Sequence, residues 1–339
     1  MKKLNFKNDY SNIAHPFVLE RLKEHLDDSF NGYGLDEASD LARKKVKDLI
    51  QSDADVHFLI GGTSANKIAI AHALRPYEAV IAVESGHIAV HETGAIEQTG
   101  HKILTVKPVN GKIVPEDIVK TVELYQDEHG VVPRLVYISD ATEIGTVYTK
   151  DELTRISQVC REHNLYLYID GARLSNALVS PKNDLTLPEI ARLSDMFTIG
   201  GTKNGLLMGE VLIVTNPALK PYVRHSVKQN GGMLAKGFLL GLQFQVFFQD
   251  NLFLAMARHA NVLALNLQEK LVGLGYTLAS ISDTNQIFVN ISWDKYNTLK
   301  DVCAFEVWNK ADDYVTVRFV TSFATKAEDV EKLIEIMKN

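Results

Sequence analysis

Cysteine is scarce in this 339-residue chain: Cys160 and Cys303 are far apart and outside any CxxC or Cys/His cluster. That excludes a disulfide framework and a cysteine-ligated metal, and two ordinary buried thiols fit a reducing cytoplasm. Long apolar runs are absent too. No stretch of about 18 apolar residues occurs, and the opening MKKLNFKNDYSNIAHP turns polar before a signal-peptide core forms, so the chain reads as soluble, with no membrane partner and no export by that route. Basic excess is lacking: the net charge is -6 and the pI near 6.0. Without a basic stripe, nucleic acid is not an expected partner. Neither GxGxxG nor GxxxxGK[ST] occurs, which argues against a dinucleotide or nucleoside triphosphate ligand. There is no fixed-period repeat and no low-complexity tract.

What is present is a repeated alternation. Apolar runs at VHFLI (56 to 60), AVIAV (79 to 83), KILTV (102 to 106), RLVYIS (134 to 139), LYLYID (165 to 170), DMFTI (195 to 199) and EVLIV (210 to 214) read as strands. Between most of them lie segments of helical period such as PEDIVKTVELYQDEHG and KDELTRISQVCREHN, with acids early and Gly or Asn at the end. Continuous apolar strands alternating with helices predict a mostly parallel sheet covered on both faces. From 233 to 272 the pattern becomes long helix, then strand-like in NQIFVNIS and YVTVRFVTSF, then helical in KAEDVEKLIEIMK. The expected division is an N-terminal segment (1–25), a large domain (26–230) and a small α+β domain (231–339).

Ligands of open α/β sheets bind at the carboxyl ends of the strands, so the residues just after each strand carry the chemistry. GGTSAN follows the first strand; Gly62, Thr63 and Ser64 there either cap a helix or form an anion site from free amides and hydroxyls. DGAR follows another. Asp170 is either a helix cap or a buried carboxylate needing a cationic partner, and Arg173 either pairs with it or offers a planar fork to a carboxylate ligand. His87 and His91, four apart, are a surface pair, two ligands of a metal lacking an evident third, or a ring and a titratable group at a ligand site. Lys203, in GGTKNG, is a surface lysine or a desolvated nucleophilic amine.

The order and spacing of GGTSANKIAI, GHIAVHETGAIE, ATEIGTVYTKDEL, YIDGARLSNAL, GGTKNGLLMGE, KQNGGMLAKGFLLGLQF and VRFVTSFATKAEDVEKL resemble the threonine aldolase branch of the β-eliminating lyases, over nearly the whole chain. The resemblance implies an aspartate-aminotransferase-like (fold type I) three-layer α/β/α large domain and a smaller α+β domain. It implies pyridoxal 5'-phosphate as cofactor, joined to Lys203 as a Schiff base, with Asp170 facing the pyridine nitrogen and His87 stacked on the ring. Gly62 and Thr63 match phosphate-holding positions, with Ser64 and Asn66 beside them, and Arg173 lies at both the cofactor and the substrate. Arg318, with Arg173, would orient the substrate carboxylate; Asn8 stands where a serine is common, and His91 where a tyrosine is common. The basic residue the family has after GGGM is Leu234 here, with Lys228 and Lys236 as substitutes, and Glu143 stands at a strand end with no assigned role. No metal is implied.

The activity implied is cleavage of L-threonine or L-allo-threonine, a small-molecule amino acid, to glycine and acetaldehyde, with His87, His91 or a held water as base and active sites between the subunits of a homodimer or homotetramer. The alternatives are a β-eliminating lyase or aminotransferase of the same fold, a non-catalytic protein that keeps the fold, and a metal hydrolase using His87 and His91.

Overall fold

The computed structural model describes residues 3–338. Its centre is a seven-stranded sheet in the order Asp55–Leu59, Glu210–Val214, Met196–Gly200, Tyr166–Asp170, Val132–Ser139, Glu78–Val83, Ile103–Val106. All of these strands run parallel except Glu210–Val214, which is antiparallel to both neighbours. Although nearly all central-strand side chains are buried, they still alternate between two cores. Ile81, Val136, Ile138, Leu167, Ile169, Phe197 and Ile199 face the helices Glu37–Ile50, Lys150–Glu162, Leu187–Leu193 and Phe238–Phe247. Val80, Ala82, Leu135, Tyr137, Tyr168 and Met196 face Gly62–Ala73 and Val223–Gln229. This is the expected three-layer arrangement, and each of the seven predicted strands is present.

The predicted long helix is broken. Helix Phe238–Phe247 ends, a 3₁₀ turn Gln249–Asn251 follows in which Asp250 (φ 49°) and Asn251 (φ 57°) are left-handed, and helix Leu252–Gly273 then starts afresh. Asp and Asn tolerate that conformation because their short polar side chains bond locally. The break changes which core each half serves: Leu240 to Met256 belong with the large sheet, and the small core starts near Leu263.

That small core lies under a four-stranded antiparallel sheet ordered Glu306–Lys310, Val315–Val320, Gln286–Ile291, Thr277–Ser280, backed by Leu252–Gly273 and the helix Ala327–Lys338. The N-terminal segment binds it to the large sheet. Leu4–Asn5 pairs with Cys303–Ala304, Phe6 is fully buried in the small core, and His15 N–H donates to Gly205 O at 2.8 Å, beside Lys203.

Candidate active site

The parallel strands all point one way, so their following loops gather at one edge. At that edge Lys203 lies in a restricted loop: the Gly201 and Thr202 amides both donate to Gly209 O (2.9 and 3.1 Å), and Gly209 N–H returns a bond to Thr202 Oγ1 at 3.0 Å. Gly205 and Gly209 take positive φ (90° and 133°), which a residue with Cβ adopts only at a cost. The glycines around the lysine therefore answer to a tight turn between two buried strands. Among the described residues none bonds the Lys203 amine; Asp9, Asp170, Glu210 and Arg173 surround it. Burial and the Arg173 charge push its pKa down against the pull of the three carboxylates. Burial likewise pushes Glu210 up, so the pair shifts toward amine and acid.

Asp170 is buried and accepts three hydrogen bonds: from Tyr137 OH at 2.7 Å, Asn66 Nδ2 at 2.8 Å and the Ala172 amide at 2.9 Å. Three donors converge on this carboxylate, and Asn66 is itself fixed in orientation. Its second Nδ2 proton goes to Glu92 Oε1 at 2.7 Å and its Oδ1 accepts from Tyr168 OH at 2.8 Å. A flipped amide would set an oxygen against two carboxylates.

His87 and His91 occupy a single helical turn, His87–Val90, with His91 just after it and the rings 5.6 Å apart. His87 Nδ1 is 2.7 Å from Glu92 Oε1, a side chain with no exposure, so this nitrogen carries the shared proton and the ring is held in place. His91 is exposed, and burial of part of its ring together with the charges of His87, Arg318 and Lys203 pushes its pKa down. Among the described residues no group of three His, Cys, Asp or Glu is arranged to hold a metal.

The two arginines differ in what already holds them. Arg173 does not pair with Asp170; Asp9, from the N-terminal segment, takes its Nε and Nη2 at 2.7 and 3.0 Å, and Asn285 Nδ2 steadies Asp9 at 3.0 Å. Arg318, in contrast, is bonded only through Nη1 to Gln286 Oε1 at 3.3 Å, while its Nε is buried with no partner among the described residues. An unpaired buried guanidinium donor is costly unless a ligand supplies the acceptor. Asn8 is nearby, but its Oδ1 is taken up by Tyr10 N–H (3.1 Å) and Ser11 Oγ (2.6 Å) in a local turn.

The helix Gly62–Ala73 opens on Gly61 with no side-chain cap, and a Cβ on Gly61 or Gly62 would meet nothing within 4 Å. The first amides of this helix, Gly62, Thr63 and Ser64, thus lack a side-chain cap, and helix-start amides of that kind suit an anion. Lys228 lies 4.8 Å over the Tyr33 ring, and Lys236 is exposed.

Sequence reasoning missed Asp9, Glu92, Tyr137 and Trp308. Trp308, on the edge strand of the small sheet, sets its ring 5.5 Å from the Arg318 guanidinium and 6.5 Å from the His91 ring, with Phe288 behind it at 5.0 Å. The signal for it was a large aromatic in a mostly polar, exposed strand, EVWNK.

Residues 22–293 match the model of the family described as beta-eliminating lyase. A low specificity L-threonine aldolase of Pseudomonas aeruginosa is 35% identical over 272 residues, 77% of this chain and 76% of that protein. The solved structure of Leishmania major threonine aldolase superposes with a TM-score of 0.97 at 46% identity, covering 98% of each chain. A putative L-allo-threonine aldolase of Listeria monocytogenes shares the fold at 20% identity and a TM-score of 0.76, over 99% of this chain and 95% of that one.

Proposed function

The chain belongs to the beta-eliminating lyase family, and from that membership we propose that it is a lyase that cleaves L-threonine or L-allo-threonine to glycine and acetaldehyde with pyridoxal phosphate as cofactor. The observation that carries the reading is the convergence, at one sheet edge, of an unbonded, half-buried lysine amine, a carboxylate held by three donors, an uncapped helix start and a guanidinium with a vacant donor.

These residues fit the cofactor. Lys203 would carry it, Asp170 would meet its pyridine nitrogen, the Gly62, Thr63 and Ser64 amides would take its phosphate, and His87 would lie against its ring. When bound, pyridoxal phosphate supplies an electron sink for the pair released as the substrate Cα to Cβ bond breaks. Asp170 would keep that sink effective by holding a proton at the pyridine nitrogen. The Glu92 contact fixes the plane of His87. Arg318 would bind the substrate carboxylate and so orient the bond to be broken. Arg173, already neutralised by Asp9, contributes its remaining donors. Asn8 would offer its Nδ2, since its Oδ1 is already taken. His91 is the base that takes the β-hydroxyl proton: its pKa is lowered, so the ring is neutral near pH 7, and it is not tied to a carboxylate.

The same reading makes the chain a homodimer or homotetramer, supported by Ile13, Phe17, Leu26, Tyr33 and Leu35, all large apolar side chains exposed on the N-terminal elements. Lys228 or Lys236 would then reach the neighbouring subunit's phosphate. No helix among the described residues is long and apolar enough to cross a membrane. Two free, buried cysteines support a cytoplasmic enzyme. The testing experiment supplies each threonine diastereomer, serine and cysteine in turn: acetaldehyde from threonine with no keto acid from serine or cysteine supports the reading, and keto acid without acetaldehyde rejects it.

A further inference from the structure

Glu143, the carboxyl at the end of strand Val132–Ser139, closes a ring of hydrogen bonds around the site. Its Oε1 is 2.9 Å from the His87 amide and 2.7 Å from Ser139 Oγ; Ser139 Oγ is 3.1 Å from Tyr137 OH; and Tyr137 OH is 2.7 Å from Asp170 Oδ2. From Asp170 the ring returns through Asn66 and Glu92 to the His87 side chain.

The protons of the stretch between the two carboxyls can be counted. It has three oxygen to oxygen contacts, and the two hydroxyls between them bring two protons. If Tyr137 donates to Asp170 and Ser139 donates to Glu143, the contact between the hydroxyls is left with none, lone pair against lone pair. A complete chain needs a third proton, held by one of the two end groups. Asp170 stands beside the Lys203 amine and already accepts from the Asn66 amide and the Ala172 N–H, which favours the anion at that end and leaves the proton to Glu143.

We propose that Glu143 holds the third proton, donating through Ser139 and Tyr137 to Asp170, and is thereby the positioning residue that keeps Asp170 an anion of fixed orientation. The groups facing Glu143 agree. Asp170 on the neighbouring strand is negative, Tyr137 and Tyr148 are buried neutral phenols, and Glu92 stands beyond His87. Burial chiefly, with the Asp170 charge, pushes Glu143 above the usual carboxyl range, while Ser139, its own amide and the His87 amide pull it partly back. A neutral Glu143 also spares the site a further carboxylate charge near Asp170. The location of this proton is independent of the reaction; its value for catalysis rests on the reading of Asp170 given above.

The test is infrared spectroscopy of the purified enzyme at pH 7 without substrate, wild type against Glu143→Gln, with Ser139→Ala as a second variant. The expected difference spectrum shows a protonated-carboxyl band lost in E143Q and displaced in S139A, where Glu143 keeps its proton and loses its hydroxyl partner. Other buried acids cancel. An unchanged band in both variants places Glu143 as a carboxylate with a proton gap between Tyr137 and Ser139, and overturns the proposal. The functional readout is the pH profile of kcat/KM: the alkaline limb moves to higher pH in E143Q, whose side chain cannot ionise, and a profile of unchanged shape overturns the positioning role. Failure of the threonine reading would appear as absent acetaldehyde with the infrared difference intact.

Discussion

Asp9 grips Arg173 through two hydrogen bonds, at 2.7 and 3.0 Å, across 164 positions of sequence. Burial opposes its charge, but Arg173, Lys203 and Asn285 outweigh that and hold the carboxyl below its usual value. Its contribution is therefore present above pH 3.8, the ordinary aspartate value, and is lost as pH falls through the lower folded-state value. Asp9→Asn leaves a buried guanidinium without its counter-charge, a loss of roughly 3–5 kcal/mol in comparable pairs. Urea unfolding at pH 7 checks this; a midpoint equal to wild type would place the pair among interactions of no net worth.

Arg318 is the arginine with a donor to spare, so its removal acts on substrate more than on cofactor. A charge-assisted bond of roughly 1.5–3 kcal/mol corresponds to a rise in KM of about ten- to a hundredfold in Arg318→Ala. Cofactor affinity should change little, as read by dialysis and absorbance. Parallel losses of both would show that Arg318 holds the fold of the site instead.

Trp308 covers one side of Arg318 and faces His91, so it bounds the space for the β-substituent. Trp308→Ala should shift kcat/KM toward β-hydroxy amino acids with larger side chains, relative to threonine. Competition between threonine and an aryl-substituted substrate gives the ratio directly, and a ratio equal to wild type would remove Trp308 from the pocket wall.

His57, on the edge strand Asp55–Leu59, is half-buried with its Nε2 enclosed and unpartnered among the described residues, and burial chiefly, then Arg224, Arg43 and His72, push its pKa down to about 4. The unfolded chain binds a proton near pH 6.5 and the folded one does not until about 4, so this residue costs stability as pH falls from 6.5 to about 4. His57→Gln should flatten that part of the curve of unfolding free energy against pH. A curve with the same slope in the variant would assign the acid sensitivity to other groups.

The fold was legible because its strands are buried on both faces: runs such as AVIAV and EVLIV admit few other readings, and glycines, hydroxyls and charges follow them in order. Lys203 and Asp170 were visible for the same reason, as charged residues at the ends of apolar runs. The partners that define their state were not. Asp9 meets Arg173 and Tyr137 meets Asp170 only after the sheet has assembled, and a tyrosine inside VYIS is indistinguishable from packing until its hydroxyl is placed. The break at Asp250–Asn251 left only a faint mark, a short polar QDN in an apolar helical stretch. Glu143 was visible as a carboxyl at a strand end, but its proton is a property of four residues taken together.

The function turns on the Lys203 amine as the group that carries the cofactor. The direct measurement is the visible absorbance of the purified protein with pyridoxal phosphate, followed by acetaldehyde release from L-threonine, for wild type and Lys203→Ala. Wild type should show the band of covalently held cofactor and release acetaldehyde, and the variant should do neither. Turnover retained in Lys203→Ala would contradict the account.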